Sequence, residues 1–333
     1  MKTIGQKVLN YLIKTLNGMA LGLFATLIIG VIIEQLGVLL GFGSLIELGN
    51  ILKGFMGLGI GIGIAWSLDL KGLPLIAGGV AGGIATSVIS DPLVTYITAV
   101  SAIEGLRLIL RKKTPMDIIL IPLISALIAF FVANLIGEPI AWFARSIGEF
   151  INHATNYQPF FMGIIIAVVM GMALTSPISS AAIAISIGLS GLAAGAAVVG
   201  GAVQMLGFAV MSRKDNNIGT VISIGIGTSM LQFKNILKKP IIWLPPIIVS
   251  AILGPFATLL FKTESTFIGA GMGTSGLVGQ IGTLDAMGYE INVFLIIALL
   301  HFILPITLVY LFDLLFRKKG WIQPDDLSLQ EIK

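Results

Sequence analysis

Cysteine is absent from the 333-residue chain, and histidine occurs only as His153 and His301. Disulfides, thiolate chemistry and cysteine metal sites are thereby excluded. A hydrolytic site needs a nucleophile, a base and a group that orients the base; His153 falls in an amphipathic stretch and His301 stands alone in an apolar one. Metal-ligand spacing, a phosphate-binding loop with its lysine and a dinucleotide fingerprint are missing too, so no enzyme activity, metal or cofactor is expected. Charge is equally scarce. Asp, Glu, Lys and Arg make up 11% of the residues, against about a quarter in soluble domains. The longest plainly polar segment is the tail from Arg317 to Lys333, which leaves no soluble domain of useful size.

Hydrocarbon takes the place of charge. A hydrophobic share of 56% and a mean hydropathy of +1.02 define an all-α polytopic membrane protein. The 41 glycines fit, because small residues let membrane helices approach closely. The net charge of +4 does not point to nucleic acid, since the basic residues sit in short clusters between apolar runs, where they orient a membrane protein. The first run, about Leu16 to Leu40, is too long for a cleavable signal, and further runs follow it.

Spans are expected at about 16–40, 50–68, 73–89, 93–110, 117–136 and 160–174, then as two short helices within 181–211, and finally at 240–261 and 292–316. That makes ten, with both termini cytoplasmic. Lys2, Lys7 and Lys14, Arg111-Lys112-Lys113, Arg213-Lys214, Lys234 to Lys239 and Arg317-Lys318-Lys319 then all fall inside. The weakest segment is 181–211, where Gly200-Gly201 offers a bend. Gly57, Gly59, Gly61 and Gly63 form two overlapping GxxxG pairs and predict close neighbours on a broad face. Ser90-Asp91-Pro92 is a helix break with a cap. From 137 to 158, Ile140, Trp142, Phe143, Ile147, Phe150 and Ile151 alternate with Glu138, Arg145, Glu149 and Asn152, the pattern of an amphipathic helix in the outer interface.

One five-residue pattern occurs twice, as Gly225-Ile226-Gly227-Thr228-Ser229 and Gly271-Met272-Gly273-Thr274-Ser275, on either side of the apolar run 240–261. If that run spans, the copies start from opposite faces of the membrane. Gly-Thr-Ser loops make poor lipid-facing helix and survive at membrane depth only inside protein or beside a wet cavity. Two re-entrant hairpins meeting near the midplane are therefore expected, with a substrate site at their tips. The competing reading is a pair of small-residue packing seams. Candidate substrate-binding residues are Gly227, Thr228, Ser229, Gly273, Thr274, Ser275 and Gln280, with Thr175, Ser176 and Ser179 from the turn Thr175-Ser176-Pro177-Ile178-Ser179-Ser180, and Gln204. Gln232 and Asn235 could add amide contacts. Such groups suit a neutral polyol or a small anion.

Ionisable residues within spans are costly and are functional candidates by default. Glu34 and His301 qualify best, each lacking a charged neighbour one turn away. Glu104 and Arg107 are three apart and expected to pair, and Asp313 is near enough to the interface to be solvated.

The Thr175-to-Ser180 turn, the Gly200-Gly201-Ala202-Val203-Gln204 stretch, the paired Gly-x-Gly-Thr-Ser loops and the chain length together resemble a family of bacterial membrane proteins. It is classed with the sugar-transporting IIC subunits of the phosphoenolpyruvate phosphotransferase system, and some members are labelled toxin regulators. The resemblance spans nearly the whole chain. It implies a IIC-like fold of about ten transmembrane helices with two re-entrant hairpins and an interfacial amphipathic helix in the bacterial cytoplasmic membrane. It also implies a homodimer, with residues 1–158 as scaffold, 159–316 carrying substrate and 317–333 as a cytoplasmic tail. Two features depart from sugar-transporting members: the glutamate-bearing sugar motif of glucose-type subunits is not recognisable, and no IIA or IIB domain is attached. A separate cytoplasmic IIB-like subunit would have to dock, and Lys234 to Lys239 is a suitable neighbour for one. The expected function is alternating-access transport of a small polar solute, namely a sugar, polyol or small organic anion. The alternative is a membrane sensor that binds a ligand without moving it.

Overall fold

A computed structural model describes residues 4–110, 114–154 and 157–329. The Arg111-Lys112-Lys113 cluster, Lys2 and the last four residues lie outside the described residues, as do the side chains of Arg145 and Asn152. The described residues are almost entirely helical and form two compact units, Met1–Phe143 and Ala144–Lys333. Six helices among them are long and apolar enough to cross a bilayer: Gly5–Leu40, Pro92–Ile109, Asp117–Ile140, Gly191–Ser212, Pro240–Leu260 and Ile291–Lys318. A pair bent by 48°, Gly43–Gly54 with Met56–Ser67, raises the number to seven. The other expected spans, Leu73–Val88 and Pro159–Thr175, are helical but shorter.

In the first unit, α1 (Ile4–Leu23) runs through a π-helical turn at Phe24–Ile28 into α2 (Ile29–Leu40); α3 (Gly43–Gly54) packs on α2, α4 (Met56–Ser67) on α1, and α5 (Leu73–Val88) and α6 (Pro92–Ile109) on α4. The two GxxxG pairs of α4 serve two partners. A Cβ on Gly59 or Gly63 would strike Gly22 or Gly18 of α1, and one on Gly57 or Gly61 would strike Gly82 or Gly78 of α5. No side chain fits between these backbones, and that is why the glycines recur every four residues. Asp91 caps α6, its Oδ1 accepting from the amides of Leu93 and Val94 with Pro92 at the first helical position. Glu104 and Arg107 pair at 2.7 Å, and Tyr11 donates to the same carboxylate. The amphipathic stretch is helical but is no separate element, because α7 (Asp117–Ala154) continues through it for 38 residues despite Pro139.

The second unit is organised around α10 (Gly191–Ser212), which is 94% buried over its apolar window. Alanine, glycine and valine on every side explain why: a helix that is apolar all round has no face to give to water. Two short helices were expected across 181–211, with a bend at Gly200-Gly201. The structure instead has a seven-residue α9 (Ser180–Ser186) and an α10 that runs unbroken through both glycines. Here Gly200 lets the carbonyl of Ala167 on α8 (Pro159–Thr175) come close. Helix α13 (Leu244–Pro255) also packs on α10, with Trp243 beside Gln204 and Thr263 beside Gly195, so it runs antiparallel. Pro159 meets Thr258, and Gly191 bridges Ser265. Helix α8 thus starts at the Gly191 end of α10 and reaches the level of Gln204, and the chain then returns through α9 to where it began. Helices α8 and α9 form a broken hairpin beside α10.

Two further broken hairpins lie along α10 from opposite ends. The first comprises α11 (Ile218–Ile222), a π-helical turn Ser223–Gly227, an extended Thr228, a 3-10 turn Ser229–Gln232 and α12 (Phe233–Lys238). The second comprises α14 (Phe267–Ala270), a left-handed break at Gly273, Gly276 and Leu277, and α15 (Val278–Met287), with Thr266 and Gly282 hydrogen-bonded at its base. The last span joins α16 (Ile291–Ile297) to α17 (Leu304–Lys318) through a π-helical turn, Ala298–Ile303, that carries His301.

Candidate functional site

The two copies of the repeated pattern touch. Thr274 of the second hairpin donates to the carbonyl of Gly225 in the first, and Gly273 approaches α10 so closely that a Cβ on it would lie 2.7 Å from the carbonyl carbon of Gly201. Gly201 is near the middle of α10, so the tips meet at mid-length of the most buried helix.

Beside this junction is a buried polar cluster with no charged member. Thr175, at the end of α8, is 2.8 Å from the Ser229 hydroxyl and donates to Gln204 Oε1 at 3.1 Å. Trp243 donates its indole N–H to the same oxygen at 2.9 Å. Thr175, Gln204 and Ser229 are fully buried. The amide nitrogen of Gln204 and the hydroxyl of Ser275 have no partner among the described residues, and a buried donor left so is costly. Breaks in α8 and in the first hairpin deliver Thr175 and Ser229, and an unbroken helix delivers Gln204.

The other candidates are distributed as follows. Gly227 precedes Thr228, whose hydroxyl caps the following turn through Met230 N. Ser176 donates back to Met172 O, and Ser179 lies half-buried in the turn before α9. Gln280 Nε2 is 3.3 Å from His301 Nδ1, both residues are buried, and Gln280 Oε1 and His301 Nε2 have no partner among the described residues. This second polar pair joins the second hairpin to the last span. Glu34 belongs to the first unit, where Lys53 binds it at 2.6 Å. Asp313, expected to be solvated, is fully buried against Arg317 at 2.9 Å and Arg213 at 3.4 Å. Gln232 and Asn235, expected to face ligand, bond to the C-terminal tail instead. Of the lysine cluster, Lys234 is buried, its ammonium lowered to about 8 chiefly by desolvation and next by Lys238, and Lys239 pairs with Asp326. Only Lys238 of the three is exposed.

Trp243 is the member that sequence reasoning missed. It is the fourth residue of the run 240–261, and the available signal was that an indole N–H entering an apolar span needs an acceptor.

Fold and site together describe a polytopic α-helical membrane protein with polar broken helices in its core. Over residues 13–329 the chain matches the family described as phosphotransferase system, EIIC, and it belongs to that family. It is thereby a membrane transport component of the phosphotransferase type. No curated protein and no solved structure matches the chain.

Proposed function

We propose that the protein carries a neutral polyhydroxylated solute, a sugar or polyol, which binds where Thr175, Gln204, Ser229 and Trp243 converge. The observation that carries this reading is the Gln204 carboxamide: its oxygen accepts from two donors, its nitrogen donates to no acceptor among the described residues, and no charged side chain of those residues joins the cluster. Hydroxyls, a carboxamide and an indole suit a substrate that both donates and accepts without charge, and are a poorer match for a small organic anion. Gly227, Thr228, Gly273, Thr274 and Ser275 form the hairpin tips that enclose it, Ser176 and Ser179 support the α8 break, and Gln280 with His301 lines the adjoining polar pair. Glu34 serves the first unit.

In this reading the ten membrane segments are the six long helices, the bent α3–α4 pair, α5, α8 and α9, with the last two entering and leaving from outside. Eight crossings then leave both termini in the cytoplasm of a bacterium, with Arg213 and Arg317 inside, as the positive-inside rule favours. The hairpins then re-enter from opposite faces, and alternating access moves the part from about Thr175 to Gly282 against a homodimeric scaffold. A separate IIB-like subunit docks near Lys238. The test is flux in proteoliposomes loaded with sugars and polyols. Saturable uptake that Gly273→Leu abolishes, in protein that remains folded, supports the carrier; specific binding with no flux under any gradient overturns it in favour of a sensor.

A further inference from the structure

The tail that leaves α17 is held along its length. From Trp321 to Leu329 it runs across the base of the first hairpin with Ile322 and Leu327 buried, in the same apolar cluster as Phe208 and Ile236. Asn216, just after α10, grips the tail with both ends of its carboxamide: Nδ2 donates to Leu327 O at 2.8 Å, and Oδ1 accepts from Leu329 N at 2.7 Å. Asp215 accepts from Leu327 N at 3.3 Å. On the hairpin side, Gln232 donates to Leu327 O at 2.9 Å, Asn235 donates to Ser328 O at 3.1 Å, and Lys239 binds Asp326 at 2.6 Å.

These partners fall into two sets. Asp215 and Asn216 lie in the turn that follows α10, whereas Gln232, Asn235 and Lys239 belong to the returning leg of the hairpin and its exit. Leu327 O accepts from one member of each set, so a single peptide unit ties the hairpin to the central helix. Gln232 lies three residues beyond Ser229, so whatever holds Gln232 also holds the polar cluster. Main-chain bonds read by carboxamides at an edge of the unit can open without unfolding α10.

We infer that the segment Trp321–Leu329 is a latch: seated, it fixes the first hairpin against α10, and released, it frees that hairpin to move. In function this deepens the carrier reading, but the motion itself can be observed without substrate.

The absence of cysteine makes the test specific. In the full chain carrying Lys239→Cys and Asp326→Cys, the ion pair is lost when the thiols are reduced, and a reducible bifunctional thiol reagent restores the tie. Hydrogen exchange over 218–232 is expected to be about tenfold or more faster in the reduced double variant than in the parent, and to return to the parental rate when cross-linked, with 267–287 unchanged. Asp326→Asn alone should act in the same direction on the same segment. Equal exchange over 218–232 in all forms would overturn the latch, as would faster exchange spread evenly over 144–329. A hairpin that responds to the tie in protein showing no solute flux would uphold the latch and refute the carrier.

Discussion

Three glycine-to-alanine variants separate two physical costs at the hairpin junction. Gly188 has φ +61° with nothing within 4 Å of a new Cβ, so Gly188→Ala reports left-handed strain alone, about 1–2 kcal/mol. Gly201 is helical, and its Cβ would lie 2.8 Å from Gly273 Cα. Overpacking there costs about 1–3 kcal/mol, offset by about 0.5–1 kcal/mol from the better helix former. Gly273 has φ +53° and faces the Gly201 backbone at 2.7 Å, so Gly273→Ala meets both penalties and should cost about 2–5 kcal/mol. The assay is thermal unfolding of detergent-purified protein followed by tryptophan emission, in which 1 kcal/mol moves the midpoint by roughly 2–4 °C for a unit of this size. The expected order of destabilisation places Gly273→Ala clearly above both others. If Gly273→Ala costs no more than Gly188→Ala, the tip of the second hairpin does not press on α10 and the site geometry is wrong.

Other perturbations probe the same framework. Gln204→Leu strands the donors of Thr175 and Trp243 and should cost about 1–3 kcal/mol; combined with Trp243→Phe it should cost less than the sum, whereas strict additivity would show the two residues not to be coupled. Asp313→Asn removes the buried carboxylate shared by Arg317 and Arg213, with Arg317 keeping Asp215 at 3.4 Å, and is expected to lose about 1.5–3 kcal/mol, read as lowered thermal stability and membrane yield; an unchanged midpoint would refute the buried network. For Lys234, burial lowers the folded value to about 8 while the unfolded value stays at 10.5. The unfolded chain therefore holds more protons between those values, so stability should rise with pH from about 8 towards 10. Lys234→Met should flatten that rise, and an unaltered profile would contradict the assignment.

Much of this was legible in residue types and spacing. The α4 glycines announced two close neighbours because only glycine tolerates backbone contact, and the repeated Gly-x-Gly-Thr-Ser pattern announced broken helices because such loops cannot face lipid. Side-chain partnership over long separations was not legible. Gln280 and His301 are 21 residues apart, Trp243 and Gln204 are 39 apart, and Asp313 reaches Arg213 across 100. Local periodicity carries no information about those pairings. The packing of the tail was not legible for a different reason: Trp321 and Ile322 are separated from Leu327 and Leu329 by the polar stretch 323–326, too short and irregular a pattern to show a period. The segment 160–211 is instructive in another way. Two short helices expected within 181–211 became a seven-residue α9 and one unbroken α10, because Gly200 and Gly201 serve close helix packing there and not a bend.

The most direct test of the polar cluster is a thermal-shift screen of the parent protein and of Thr175→Val with Ser229→Ala against sugars, polyols, sugar phosphates, carboxylates and amino acids. A bound ligand at a hundred times its dissociation constant stabilises the parent by about 2.7 kcal/mol. The account predicts that uncharged sugars or polyols give this shift in the parent and lose it in the double variant. A shift produced by carboxylates alone, or one that survives loss of both hydroxyls, would contradict it.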